Sequence, residues 1–205
     1  MPKKYEKRRG SRFDAAARRV QQERAGKLIL LIHGANLNML GSRDPSHYGS
    51  ATLNDIEKRI TARAAKKEFR IEAYQSNSEG AIIDFLQHRS PEAKGIIANL
   101  GAFTHYSRAI SEALKDTRLP VIEVHLSDVQ KRALEDSEPW RAVSVLESLR
   151  EEVIAGHGEK GYDTALDHLI QIILGERPTR VKRQLLTRPV AVRQSTMVRH
   201  PRTRR

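Results

Sequence analysis

The strongest constraint on the fold is a series of short apolar segments separated by polar, helix-forming segments. The first, KLILLIHG, is a continuous apolar run of strand length that ends in glycine, as expected for a strand buried on both faces. Three more follow as FRIEAYQSN, GIIANLGA and VIEVHLSD, and EVIAG predicts a short fifth strand. Strands that alternate with helices predict an α/β fold with a doubly wound, five-stranded parallel sheet.

The predicted helices lie between and after these strands. Thr52 is the expected cap of the first helix. Helices are predicted at residues 53–67, 79–89, 106–116 and 162–174. Residues 129–151 are polar and irregular in pattern. A chain of 205 residues suits one domain, which we assign to residues 27–175.

Positive charge is concentrated at the two ends of the chain. Residues 1–26 hold nine Lys and Arg against three acidic residues, and residues 176–205 hold ten against one. The whole chain has a net charge of +12, so the residues between the ends carry a net of −3. We interpret both ends as basic extensions, the first with a weak helical pattern over residues 12–25, that can contact a polyanion such as RNA.

The composition also limits the compartment. The chain has no cysteine, which excludes disulfides and thiolate metal sites and is compatible with a reducing compartment. Its longest apolar run, from Leu28 to Ile32, is far shorter than a membrane span, and the N-terminus lacks the apolar core of a secretory signal. We expect a cytoplasmic protein without membrane contact, although the Arg- and Ala-rich N-terminus shares features with mitochondrial transit peptides.

Polar side chains lie at or just after the predicted strands, at the edge where parallel sheets bind their ligands. Each alone has an ordinary structural explanation, such as an asparagine in a turn or a satisfied core histidine. A scaffold does not require all of them at one edge, so together they predict a functional site. The candidates are Asn36, Arg43, Tyr48, Asn99, His105, Glu123 and His125.

Two pairs among these candidates suit proton transfer. Arg43 and Tyr48 lie on one glycine-flanked loop, and a neighbouring guanidinium stabilises a tyrosinate that can act as a base. Glu123 and His125 are two apart on a strand and share one face, so the carboxylate can orient the imidazole as a general acid. One base and one acid predict an elimination through an enolate-like intermediate. No dinucleotide motif or phosphate loop occurs, and the histidines show no metal-ligand spacing, so no metal is implied.

Four segments carry a specific family resemblance. They are HGANLNMLGSRDPSHYGSATLNDIE, YQSNSEGAIIDFLQ, NLGAFTHYSRAI and PVIEVHLSDVQKR. They resemble the type II 3-dehydroquinate dehydratases, and the resemblance runs from about residue 27 to about residue 174 without either extension. It implies a flavodoxin-like fold, no cofactor, and a homododecamer built of trimers. The implied lyase reaction is the reversible dehydration of 3-dehydroquinate to 3-dehydroshikimate, in the shikimate pathway of aromatic amino acid biosynthesis or in quinate catabolism.

The resemblance also implies a role for each candidate. Tyr48 corresponds to the tyrosine that removes the C2 proton, and Arg43 to the lid arginine beside it. Asn36 corresponds to the asparagine that holds a water against the developing enolate. His125 corresponds to the acid that protonates the leaving hydroxyl, and Glu123 to its orienting partner. The implied substrate-binding residues are Asn99, His105, Glu112, Leu126, Ser127, Arg132 and Arg141, with Arg141 as the carboxylate-binding arginine.

The sequence departs from the family pattern at several supporting positions. Glu112 stands where the family has an Asp that reaches a neighbouring subunit's site, and the span from Arg132 to Arg141 is longer than in the family. The acid, the base and the orienting groups are present, whereas part of their surroundings is changed. The other replaced positions are His33, Ala35, Leu100, Asp128, Val143 and Val145.

The sequence leaves two functional interpretations open. The first is an active dehydratase, which the Tyr48, Arg43 and His125 set favours. The second is a weakly active or inactive relative that serves as an RNA-binding, polyanion-binding or assembly module through its basic extensions. The extensions also have two further explanations, as solvated segments without a partner or as segments that pack on neighbouring subunits.

Overall fold

The computed structural model describes residues 27–176. The weak helical pattern over residues 12–25 and almost all of the two basic extensions therefore lie outside the described residues. Within the described range, no helix combines the length and the apolar character needed to cross a membrane.

Five parallel strands form one sheet. They are β1 (Leu28–His33), β2 (Arg70–Gln75), β3 (Ala93–Asn99), β4 (Val121–His125) and β5 (Glu152–Ala155). Their order across the sheet is β2-β1-β3-β4-β5, which is the flavodoxin-like order. The predicted fold class is confirmed, and each strand lies in the segment that its apolar run indicated.

Six α-helices lie in the described range. They are α1 (Pro45–Tyr48), α2 (Leu53–Ala65), α3 (Glu79–Arg89), α4 (Arg108–Thr117), α5 (Val129–Glu135) and α6 (Lys160–Ile173). The predicted cap of α2 is present as a full capping box, because Thr52 and Asp55 each accept a hydrogen bond from the other's backbone N–H. Helices α2, α3, α4 and α6 agree with the predicted helices.

The core consists of two apolar layers, one on each face of the sheet. Alternate residues of β1 enter opposite layers, with Ile29 and Leu31 in one and Leu30 and Ile32 in the other. The first layer also contains buried residues of α2 and α6, and the second contains buried residues of α3 and α4. Strand β1 is buried along its whole length and its neighbour β3 along nearly all of it, so polar groups of these two strands reach solvent mainly where the strands end.

Two short helices differ from the sequence prediction. Helix α1 begins at Pro45, where the Asp44 carboxylate accepts from the Ser46 N–H. Helix α5 falls in the segment predicted to be irregular, and the Asp128 carboxylate accepts from the N–H groups of Gln130 and Lys131. Helices of one or two turns show too few apolar repeats to be recognised by periodicity. Both carry residues of the pocket described below.

The loops after β1 and β3 press against each other at two glycines. A Cβ added to Gly34 would overlap the backbone carbonyl of Leu100, and a Cβ added to Gly101 would meet the backbone oxygen of Ala35. Gly101 also has a φ of 58°, a conformation that glycine adopts without strain. The Gly34 N–H donates to the Asn99 carbonyl at 2.8 Å and joins the two loops. This close contact brings the polar ends of β1 and β3 together.

We predict that Gly34→Ala separates these loops and destabilises the fold. Backbone atoms cannot yield as a flexible side chain can, so the free energy of unfolding should fall by more than about 2 kcal/mol. Urea unfolding followed by circular dichroism measures it. The control is Gly80→Ala, because a Cβ there meets only the Ser78 Oγ at 3.9 Å. Equal stability of the two variants would contradict the close contact at Gly34.

Candidate active site

A pocket lies at the carboxyl edge of the sheet, beyond β1, β3 and β4. The loop after β1, the turn after β3 and the segment after β4 form its walls. Of the predicted site residues, Glu123 lies behind His125, and Glu112 lies in a different depression. The predicted residues that line the pocket are Asn36, Arg43, Tyr48, Asn99, His105, His125, Leu126, Ser127, Arg132 and Arg141.

Tyr48 is held between two arginines. Arg43 Nη2 donates to the phenol oxygen at 2.8 Å, and its guanidinium carbon lies 3.7 Å from the ring centroid. Arg132 Nη1, from α5, donates to the same oxygen at 3.0 Å. Two cationic donors on one oxygen stabilise negative charge there, and the stacked guanidinium adds a cation–π contact. This arrangement suits a tyrosine that accepts a proton.

His125 and Glu123 form a buried pair on β4. His125 Nε2 lies 2.9 Å from Glu123 Oε1, and the Glu123 side chain has no exposed surface. An ionised carboxylate only accepts hydrogen bonds, so Nε2 donates and Nδ1 is left for another partner. The pair therefore has the arrangement of an imidazole oriented by a carboxylate.

Glu123 is ionised in spite of its burial. Burial alone raises the pKa of its carboxyl, but the hydrogen bond from His125, the charge of that ring and the charge of Arg150 together hold the pKa at about 2. Ser144 Oγ donates to Oε1 at 2.9 Å, and Thr104 Oγ1 donates at 3.2 Å. The carboxylate is thus fixed from several sides, and it fixes the His125 ring in turn.

His105 lies beside His125, with nearly parallel rings whose centroids are 6.3 Å apart. Its Nδ1 is 2.7 Å from the carbonyl oxygen of Val143, so Nδ1 carries the proton and Nε2 is left as an acceptor. Burial is the largest influence on this ring and lowers the pKa of His105. A neutral ring with a free acceptor suits a substrate hydroxyl.

The loop after β1 is anchored by amide side chains from the end of β2. The Asn36 N–H donates to Asn77 Oδ1 at 2.9 Å, and Gln75 Nε2 donates to the Gly34 carbonyl at 3.2 Å. Asn36 has a φ of 65°, in the left-handed region that asparagine tolerates better than most residues. Its side chain is exposed to the pocket, where it can hold a water or a substrate oxygen.

A buried chain of hydrogen bonds supports Asn99 from below the pocket. Asn99 Nδ2 donates to the Tyr162 hydroxyl at 2.8 Å, and that hydroxyl lies 3.3 Å from His33 Nδ1. Burial raises the pKa of Tyr162, so the phenol stays protonated and its O–H donates a hydrogen bond to His33 Nδ1. His33 Nε2 is 3.6 Å from the Glu57 carboxylate. The hydrogen bonds through Tyr162 and His33 therefore fix the orientation of the Asn99 side-chain amide.

Arg141 and Arg132 have acidic partners from the segment that separates them. Arg141 Nε donates to Glu138, and Arg132 forms an ion pair with Asp136 at 3.3 Å. Asp136 also lies 3.7 Å from Arg141 Nε. With Arg43, these guanidiniums give one side of the pocket a positive character, which suits an anionic substrate.

Glu112 does not join this pocket. It is exposed on α4, in a second depression formed with residues 143–145 and 147–149 and with Arg108, Ser111 and Lys115. Within the described residues, Glu112 therefore does not line the pocket of its own chain. A role at a neighbouring subunit's site, which the resemblance implies, stays a prediction.

Sequence reasoning missed three residues that support the site. Arg150 lies in the segment predicted to be irregular, yet it donates to Glu123. Tyr162 was predicted only as part of the last helix, and Ser144 was given no role. All three are polar residues that become buried or partly buried only in the folded protein. The sequence alone does not show which polar residues these are.

The fold and the pocket define an acid–base enzyme whose site suits a small anionic substrate. The family model described as Dehydroquinase class II matches residues 27–170, and the chain belongs to this family. The resemblance read from the four sequence segments is confirmed.

Individual relatives agree with the family. The chain is 48% identical over 142 residues to a 3-dehydroquinate dehydratase from Roseiflexus castenholzii, covering 69% of this chain and 87% of that protein. It is 46% identical over 144 residues to a catabolic 3-dehydroquinase from Aspergillus oryzae, covering 70% and 91%. A solved type II dehydroquinase from Butyrivibrio crossotus is 41% identical, with a TM-score of 0.65, and covers 70% of this chain and 97% of its own.

The buried His33 predicts acid-sensitive stability. Burial lowers the pKa of His33 from 6.5 to about 3 in the folded protein. Between these two pH values the unfolded chain therefore binds a proton at His33 and the folded chain does not. Stability from this group is fully present above pH 6.5 and is lost as the pH falls toward 3. Between pH 7 and pH 5 the loss should be about 2 kcal/mol.

His33→Asn should remove this part of the pH dependence. Urea unfolding at pH 7 and pH 5 should show a smaller loss for the variant than for the wild type, whatever their difference at pH 7. His157→Asn is the control, because His157 is exposed. Equal losses in the wild type and His33→Asn would show that His33 is not kept neutral by the fold.

Proposed function

We propose that this protein is a type II 3-dehydroquinate dehydratase, a hydro-lyase that converts 3-dehydroquinate reversibly into 3-dehydroshikimate. The observation that carries the proposal is the Tyr48 oxygen held by two guanidiniums in the same pocket as the His125 ring. An elimination needs a base and an acid in one pocket, and this pair supplies both. Membership of the dehydroquinase family and the names of the relatives support the substrate.

The reaction begins with loss of the C2 proton. Tyr48, as tyrosinate, takes that proton, and the electron pair of the broken C–H bond moves onto the ketone oxygen as an enolate. Arg43 and Arg132 stabilise the tyrosinate before transfer. Asn36 holds a water against the enolate oxygen, a role that its exposed position on the pocket wall allows.

The second half of the reaction expels water. The enolate electrons return to form the conjugated double bond, and the carbon–oxygen bond of the leaving hydroxyl breaks. His125 donates a proton to that oxygen, and Glu123 holds the ring in position. Tyr48 then holds the C2 proton and His125 has lost one, so a proton must pass from Tyr48 to His125 before the next turnover. The net change is loss of the C2 proton and the hydroxyl as water.

The remaining pocket residues bind the substrate. Arg141 pairs with its carboxylate in place of Glu138, which now accepts from Arg141 Nε. His105 accepts from a hydroxyl through Nε2, and the Asn99 amide is held toward the pocket by Tyr162. Leu126 and Ser127 contribute a backbone N–H and a hydroxyl from the end of β4.

We predict that the wild type converts 3-dehydroquinate and that Tyr48→Phe loses at least about a hundredfold in kcat, because the proton acceptor is gone. The ultraviolet absorbance of the conjugated enone measures turnover. Tyr106→Phe is the matched control, since Tyr106 is 57% exposed and does not line the pocket. A Tyr48→Phe variant that kept more than about a tenth of wild-type kcat would rule out Tyr48 as the base.

We also propose an assembly of trimers into a homododecamer, as the resemblance implies. The exposed Glu112, in a depression with Arg108 and Lys115, supports an interface on this face. Light scattering should give a mass many times 23.3 kDa. Glu112→Lys should lower this mass or raise KM, whereas Glu68→Lys, at another exposed carboxylate, should do neither. A fully active monomer would contradict the assembly.

The alternative interpretation, an inactive module that works through its basic extensions, finds no support in residues 27–176. Binding of RNA or another polyanion by the extensions stays a proposal based on their charge, and it is compatible with an active core. A cytoplasmic location is likewise a proposal from composition.

A further inference from the structure

Arg150 is a largely buried cation next to the acid of the site. It lies in the loop before β5, its side chain is only 10% exposed, and its Nη1 donates to Glu123 Oε2. His125 Nε2 donates to the other carboxylate oxygen at 2.9 Å. Glu123 is therefore flanked by two cation-forming groups, one on each oxygen.

The two groups differ in how they hold charge. A guanidinium stays protonated under all conditions that a protein survives. An imidazole that acts as a general acid is charged before it donates its proton and neutral afterwards. Without Arg150, proton donation by His125 would leave the Glu123 carboxylate as a lone buried anion, which is a costly state. That cost would make His125 retain its proton.

We propose that Arg150 is a positioning residue that compensates the charge of Glu123 throughout turnover and thereby lets His125 release its proton to the leaving group. This inference rests on the proposed function, because it takes His125 to be the acid. Arg150 touches neither the substrate nor the reacting atoms. It acts on the strength with which the carboxylate holds the proton of His125.

The other surroundings of the pair agree with this role. The neutral donors on Glu123 are the hydroxyls of Thr104 and Ser144, which cannot balance a charge. Burial is the largest single influence on the pKa of Glu123 and raises it. The contacts with His125 and the charge and hydrogen bond of Arg150 together lower it by more. His105 lies against the His125 ring, and the other titratable and charged groups that line the same pocket are Arg43, Tyr48, Arg132 and Arg141.

The test compares the pH dependence of kcat in Arg150→Gln, Arg150→Lys and the wild type. Arg150→Gln should lower kcat at neutral pH by about tenfold and move the alkaline limb of the profile up by about one pH unit. Arg150→Lys keeps the charge and should restore most of the wild-type profile. Arg118→Gln, at an exposed arginine, should leave the profile unchanged. A folded Arg150→Gln variant with a wild-type profile would overturn the proposal.

A second background keeps the test valid if Arg150→Gln alone does not fold. Glu123→Gln removes the carboxylate, so the Glu123→Gln, Arg150→Gln double variant contains neither a lone buried anion nor a lone buried cation. Because Arg150 acts through the Glu123 carboxylate, the double variant should have the same alkaline limb as Glu123→Gln alone. A limb that still moved to higher pH on removal of Arg150 would overturn the proposal, because Arg150 would then act without the carboxylate.

A measurement without turnover separates this proposal from the proposed function. NMR titration of the His125 ring should show that it keeps its proton to higher pH in Arg150→Gln than in the wild type. A wild type inactive on 3-dehydroquinate would contradict the function and leave this comparison standing. Identical titrations in the two proteins would overturn the role of Arg150 even in a fully active enzyme.

Discussion

The parallel register of the sheet is the constraint on which the site depends. Strands β1, β3 and β4 are buried along nearly their whole length, so their polar groups gather where the strands end. All strands run in the same direction, so these ends meet at one edge. The contact of Gly34 with Leu100 then brings the loops of two neighbouring strands together. A base on one loop and an acid on another strand can share a pocket only because this edge is common to both.

Each charged or reacting group of the site has neighbours of opposite charge, which take the place of solvent. The Tyr48 oxygen has two guanidinium donors, and the Glu123 carboxylate has an imidazole and a guanidinium. A buried charge without a partner is costly, so each reacting group needs a neighbour that stabilises the form it must adopt. The same principle explains why β4 tolerates a fully buried carboxylate. It also explains why His33, which lacks such a partner within 3.5 Å for its Nε2, is kept neutral by the fold.

Much of the fold and most of the site could be predicted from the sequence, because both rest on local patterns. Apolar runs located the strands, and residues that follow them, such as Asn36 and His105, were expected at the pocket. The single-turn helix that carries Tyr48 and the helix that carries Arg132 were missed, because they are too short for a repeat. Arg150 was missed for a different reason. Its role depends on a distance to Glu123 that only the tertiary fold creates, and an arginine in a polar segment gives no sign of burial.

The segment between Arg132 and Arg141 supplies acidic partners for the arginines of the pocket. It contains Asp136 and Glu138, and these carboxylates pair with Arg132 and Arg141. The guanidiniums are thereby held in place, at the pocket wall, by partners that are themselves partly exposed. Surface ion pairs of this kind are individually weak, so a carboxylate that enters the pocket can replace Glu138 on Arg141 at little cost. The segment therefore holds both guanidiniums at the pocket wall through ion pairs that another carboxylate can replace.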